Sequence, residues 1–146
     1  MKILLSFLIF IMTACNSIYG DSSAMMNTLN NYVNLRINNK EYKLILYDND
    51  TARDFLKMLP LTITMNDLNS NEKYYNLSSA LTTKSERVGS IKRGGFMLYG
   101  NNCLVLFYES FSTSYSYTKI GYIENTDGLK DSLGMGSIEI TFSVNK

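Results

Sequence analysis

From residue 33 onward, apolar and polar side chains alternate in short runs, the period-two signature of half-buried strands. Val33, Leu35 and Ile37 alternate with polar neighbours, and Tyr42, Leu44 and Leu46 resume the pattern after Asn38-Asn39-Lys40. Turn residues between two alternating runs predict a β-hairpin. Asp48-Asn49-Asp50 then breaks the strand. Asp50 or Thr51 is placed to cap a helix, whose apolar face would hold Ala52, Phe55, Leu56 and Leu59. Pro60 ends it near Leu59, because the residue before proline avoids helical geometry.

Leu61, Ile63 and Met65 alternate with threonines and asparagine and predict the next strand. Residues 66–75 are polar and turn-rich and predict irregular chain, with a single helical turn over 78–81. Residues 82–94 form a long polar loop carrying Lys84, Arg87, Lys92 and Arg93. Residues 95–99 and 103–108 flank Gly100-Asn101-Asn102 and predict a second hairpin. Its second strand is apolar at nearly every position, as for a strand buried on both faces. A strand over 115–123, a brief helix or turn over 127–133 and a strictly alternating strand over 137–144 complete the pattern. Seven or so strands with one or two short helices make a mainly β domain paired through hairpins. Closing the sheet into a barrel removes its edges, although periodicity alone fits a sandwich equally well.

The first residues follow a different rule. Met1-Lys2 supplies one positive charge, residues 3–12 are apolar except Ser6, and Thr13-Ala14 precede Cys15. This is the layout of a secretory signal, too short for the roughly 20 apolar residues of a membrane span. Met12-Thr13-Ala14-Cys15 resembles the bacterial lipobox, with Met12 where leucine is usual. The resemblance implies a signal peptide over residues 1–14, lipidation of Cys15 and anchoring in a lipid bilayer at the bacterial cell envelope. Residues 15–31 are polar and aperiodic, the composition of a flexible tether, and residues 32–146 form the domain.

Composition removes several classes of function. Without Lys2 the basic and acidic side chains number 13 each, which leaves no electrostatic footprint for nucleic acid. The absence of histidine excludes Ser-His-Asp and Cys-His chemistry and the usual zinc sites. No cofactor or metal is expected. Asp48, Asn49 and Asp50 lack the rest of a calcium loop. The only cysteines are Cys15 and Cys103. With Cys15 acylated there is no disulfide, and Cys103, within an apolar run, reads as a small buried hydrophobe.

Residues 50–65, the Gly89-Ser90-Ile91 segment leading to Leu98-Tyr99-Gly100, residues 104–123 and the closing strand together resemble the bacterial cyclophilin-like domain family. The resemblance covers most of residues 33–144. It implies a small closed cyclophilin-like β-barrel with a short helix after the opening hairpin. True cyclophilins twist an X-Pro bond with an arginine beside a proline pocket, in a Phe-x-x-Gln context with downstream tryptophan and histidine. Glutamine, tryptophan and histidine are all absent here, so no catalytic position carries over and the fold alone does not fix the chemistry.

Hydroxyls and aromatics alternate through residues 108–119, and aromatic faces with polar tips suit a cleft for an extended peptide or small ligand. Tyr99, Tyr108, Phe111, Tyr115 and Tyr117 are the candidate lining. The competing reading is a well-bonded edge that packs the barrel's end. Ser116-Tyr117-Thr118-Lys119 spells Ser-x-x-Lys in an extended setting, without the helix that motif requires. Arg87 and Arg93 flank a glycine-bearing loop, and either has the fork to hold a carbonyl. Gly89 to Gly95 lacks the ending of a phosphate loop.

Two functions follow: a non-catalytic module binding an extended peptide or small ligand, and a peptidyl-prolyl isomerase with a rearranged site using Arg87 or Arg93. Oligomeric state is open. For the anchor, a globomycin-sensitive change in apparent size is expected on expression in bacteria, and Cys15→Ala is expected to abolish it. A wild-type chain of unchanged size would leave plain secretion.

Overall fold

The computed structural model describes residues 32–144. Residues 1–31, where a signal peptide, Cys15 and a tether are expected, lie outside the described residues. Eleven strands and two short helices run in the order β1 (Tyr32–Ile37), β2 (Lys40–Leu46), α1 (Asp50–Leu56), β3 (Leu61–Leu68), β4 (Glu72–Asn76), β5 (Glu86–Arg87), β6 (Ser90–Ile91), β7 (Gly95–Tyr99), β8 (Cys103–Phe107), β9 (Phe111–Ser112), β10 (Ser116–Ile123), α2 (Leu129–Leu133) and β11 (Ile138–Ser143). Eight of the strands form a closed antiparallel barrel, β2-β1-β11-β3-β4-β8-β7-β10, with β10 pairing back to β2. Closure decides between barrel and sandwich in favour of the barrel.

Closure depends on β10, which bonds β7 between Thr118 and Tyr122 and β2 from Gly121 to Ile123, with a bulge between Lys119 and Gly121. Bulges bend a strand and re-aim its side chains. Gly121 sits in register with both Phe96 and Leu46. A Cβ at that position would overlap the Ile45 carbonyl, so only glycine allows the seam to close.

The barrel is filled from both ends of the chain. Phe55 on α1, Phe96 on β7 and Phe142 on β11 are buried with ring centroids 5.1–5.4 Å apart. Edge-on and tilted contacts of this kind suit the aromatic quadrupole. Asn49, rather than Asp50 or Thr51, caps α1: its side chain accepts from the Ala52 N–H and donates to the Lys119 carbonyl. Asp54 accepts from the backbone N–H and hydroxyl of Thr82, which hold its carboxyl down at about 2. The helix that places Phe55 also anchors the start of the long loop.

Three expectations fail. Residues 66–75 are not irregular, since β3 runs on to Leu68 and β4 begins at Glu72, joined by a turn with Asn69 and Ser70 at positive φ. The inward positions of β4 are Lys73 and Tyr75, so its alternation does not show as apolar against polar. Residues 78–81 form no helical turn. Leu77 and Leu81 donate instead to the carbonyls of Asn102 and Asn101, which pins this segment to the β7–β8 turn. The loop over 82–94 holds two short strands, β5 on β10 and β6 on β9.

Lys73 is fully buried at one end of the barrel. Its Nζ donates to Asp67 Oδ2 at 2.6 Å and to the carbonyls of Gly134 at 2.9 Å and Gly136 at 2.6 Å. The Tyr108 ring lies 5.5 Å away, and its hydroxyl donates to the same Asp67 oxygen at 2.8 Å. Burial pushes the Asp67 carboxyl up, but hydrogen bonds from Lys73 and Tyr108 overcome this and hold it below its ordinary value. Removing one partner of such a pair strands the other charge, at a cost of about 3–5 kcal/mol. Urea unfolding of Lys73→Ala should show a loss of that size, and Tyr108→Phe a loss of about 1–2 kcal/mol. A Lys73→Ala value within about 1 kcal/mol of wild type would mean the pair behaves as an exposed one.

Candidate functional site

Strand alternation gives the β4-β8-β7-β10 wall two apolar faces. Leu104 and Leu106 on β8 and Phe96 and Leu98 on β7 point into the barrel. Val105, Phe107, Met97 and Tyr117 point outward and form a second cluster with Ile91. The β6–β9 pair covers part of this outer face, seating Ile91 and Phe111 upon it. It is held in place by hydrogen bonds from Thr113 N–H to the Gly89 carbonyl and from Arg93 N–H to the Ser110 hydroxyl.

The uncovered part is a groove of about 780 Å³, within the usual size of ligand sites. Val105 and Cys103 from β8, Tyr117 from β10 and Glu72 and Tyr74 from β4 line it. The β3–β4 turn, the Asn101-Asn102 turn and residues 111–115 border it. A chain of rings runs along one side, from Phe111 through Phe107 and Tyr117 to Tyr99 and Tyr115, with successive centroids 5.5–6.1 Å apart. Tyr99 and Tyr115 end it at 49% and 62% exposure.

Four of the five tyrosines and phenylalanines expected at a cleft therefore line one groove: Tyr99, Phe111, Tyr115 and Tyr117. Tyr108 does not join them. It is buried in the inner core with its hydroxyl on Asp67, where burial and the Asp67 charge push its phenol up strongly. Cys103 is half-buried on the groove floor rather than a core residue. Burial, then the Glu72 charge, push its thiol up, which keeps it protonated and unreactive at neutral pH. Burial and Glu72 likewise push the Tyr117 phenol up to about 12.

Neither arginine lines the groove. Arg93 Nε donates to the Tyr108 carbonyl, and its Nη2 pairs with Glu109 at 3.0 Å. Glu109 is shared with Lys130, and the two cations hold its carboxyl below its ordinary value. Arg93 thus clamps the β8–β9 connection to the segment before β7. Arg87 lies on exposed β5, in register with Ser116.

Glu72 and Asn71 had no part in the sequence reading of this site. The Glu72 side chain points outward from β4 into the groove and is 8% exposed. Burial, and then the negative charge of Asp67, push its carboxyl up. Among the described residues no donor bonds to it and no cation pairs with it. The Oδ1 of Asn71, another lining residue, is also buried without a donor. The one available signal was the Tyr74-Tyr75 pair, strand-favouring aromatics that mark 72–76 as a strand.

An eight-stranded antiparallel barrel with a partly covered outer face and an aromatic groove defines the class of domain. A profile of the cyclophilin-like family matches residues 35–143, and the chain belongs to that family. Its fold is similar to the solution structure of the hypothetical protein AF2241 from Archaeoglobus fulgidus, with a TM-score of 0.58 at 20% identity, over 78% of this chain and 94% of that one. A search of curated proteins finds no match.

A carboxyl whose folded-state value lies above its ordinary 4.5 costs stability when ionised, and the cost vanishes once pH falls below that ordinary value. Glu72→Gln is therefore expected to raise stability at pH 7–8 by about 0.5–2 kcal/mol, the usual gain from relieving a costly site. The gain should close as pH is lowered through 4.5. Equal unfolding midpoints for the two proteins at pH 8 would contradict this burial cost.

Proposed function

We propose that this protein is a non-catalytic binding module, carried at the bacterial cell envelope on an acylated Cys15, whose groove receives an extended peptide or a small polar ligand. The observation that carries the reading is the groove: an apolar floor, a run of tyrosines with free edges, and polar turns at its rim. Such a surface buries apolar side chains and bonds a ligand's backbone at the border. The polar composition of residues 15–31 supports a tether, and the lipobox-like Met12-Thr13-Ala14-Cys15 supports the anchor.

The isomerase reading has less support. It requires a donor beside a proline pocket, and Arg93 is engaged with Tyr108 and Glu109 while Arg87, on β5, does not line the groove. Isomerisation needs no proton transfer, so the missing histidine alone does not decide the matter; the rotational barrier is about 18–20 kcal/mol.

The two readings separate in one pair of measurements on the chain from residue 16 onward. Titration with capped proline-containing peptides should shift the amide resonances of Tyr99, Phe111, Tyr115 and Tyr117. Tyr99→Ala and Tyr115→Ala should each weaken binding by about threefold to tenfold. A protease-coupled prolyl assay should match buffer. Rate enhancement lost in both Arg87→Ala and Arg93→Ala would establish the isomerase instead, and shifts confined to other surfaces would overturn the groove.

A further inference from the structure

The groove holds a carboxylate that nothing in the described residues satisfies. Glu72 is more than nine-tenths buried, aimed into the groove, and without a donor or cation. Its only charged neighbour of note is Asp67, also acidic. The Glu72 carboxylate oxygens are not among the fully enclosed atoms, so a donor entering the groove can reach them, and a carboxylate so largely buried without a partner is costly to keep charged. Lys73, although adjacent in sequence, faces the other side of the sheet and is committed to Asp67 and two carbonyls.

The surroundings fit one chemistry. Tyr74, Tyr117, Tyr99 and Tyr115 line the same groove, and tyrosine faces attract cations. No lysine or arginine lines it, so an incoming positive group meets no repulsion. Residues 15–31 contain no lysine or arginine either, so the tether brings no such group.

We propose that, among the ligands it receives, the groove prefers those carrying a basic side chain, with Glu72 as its counter-ion and the tyrosines as its aromatic wall. Arginine fits best. Its planar fork carries several donors and stacks on aromatic faces, so one guanidinium can meet both Glu72 oxygens while packing on a ring. The inference rests on the binding reading above and names the ligand class of that same groove. An ionised carboxylate accepts hydrogen bonds and gives none to a ligand's carbonyl, so the site favours ligands that bring a donor.

The test compares a capped Gly-Arg-Gly peptide with the same peptide carrying citrulline, which keeps the shape and loses the charge. Agmatine serves as the probe for a free small cation. Calorimetry uses the protein as the cell produces it from the full-length sequence, with Glu72→Gln, Tyr115→Ala and the exposed Glu139→Gln as a control for net charge. The arginine peptide should bind about tenfold tighter than citrulline, the scale of one charge-assisted bond. Glu72→Gln should bring the two within about twofold of each other, while Glu139→Gln leaves the ratio unchanged. Tyr115→Ala should weaken both peptides. Agmatine as tight as the peptide identifies a small-cation site, and agmatine much weaker identifies a peptide site; both support the assignment. Equal binding of arginine and citrulline peptides by the wild type would overturn it while leaving a groove binder standing. No binding of any probe in the groove would remove both readings.

Discussion

The architecture turns on Lys73. A fully buried ammonium is tolerable only when its donors are used, and here they reach Asp67 on β3 and two carbonyls in the segment before β11, with the Tyr108 ring alongside. Desolvating such a charge is expensive, so the partners must sit where the fold puts them. This pins the β3–β4 hairpin, the chain after β8 and the approach to β11 to one point. It also fixes the register of β4. In a strand, a slip of one residue turns every side chain to the opposite face. With Lys73 held inward, Glu72 and Tyr74 must face outward, and the groove receives its carboxylate as a consequence of a bond made inside the barrel.

The second constraint is that the β4-β8-β7-β10 wall is apolar on both faces. The inner face meets Phe55 and Phe142, but among the described residues the outer face has only the two-stranded β6–β9 sheet to cover it. The β6–β9 pair and the arginine clamp at Arg93 cover one part. Phe107 and Tyr117 pass the packing outward ring by ring until Tyr99 and Tyr115 reach solvent. A groove is what remains where covering stops, and its aromatic lining is the edge of a core rather than an isolated patch. That gives the tyrosines rigid seats, which lowers the ordering cost of any ligand packed against them.

Much of the barrel was legible in the sequence because its strands alternate cleanly. β1, β3 and β11 place apolar residues at one parity and β7 and β8 at both, and the β1–β2 and β7–β8 turns are spelled in asparagine and glycine. β4 was not legible, since a lysine and a tyrosine occupy its inward positions. Periodicity sorts by polarity, and a buried ammonium defeats it. The same failure concealed Glu72, whose significance depends on which way β4 faces. Tyr108 erred the other way. In sequence it belongs to the hydroxyl-rich aromatic stretch, but Asp67, 41 residues earlier, draws its hydroxyl to the barrel's end. Contacts of that separation leave no local trace. Phe111, Tyr115 and Tyr117 line the groove, and their polar neighbours in sequence mark that stretch as lying near solvent.

Membership in the cyclophilin-like family therefore says more about the wall than about the chemistry on it. An isomerase of the cyclophilin kind brings a cation to the substrate, to draw density from the twisting amide. Here two cations near the covering strands are spent on structure: Arg93 on Glu109 and the Tyr108 carbonyl, Lys130 on Glu109. The groove itself carries an acceptor with the opposite charge. Converting one arrangement into the other would take more than one substitution, because Arg93 holds the flap that shapes the groove and Glu72 hangs from a strand fixed by Lys73. The polarity of the site is thus built into the same contacts that hold the barrel closed.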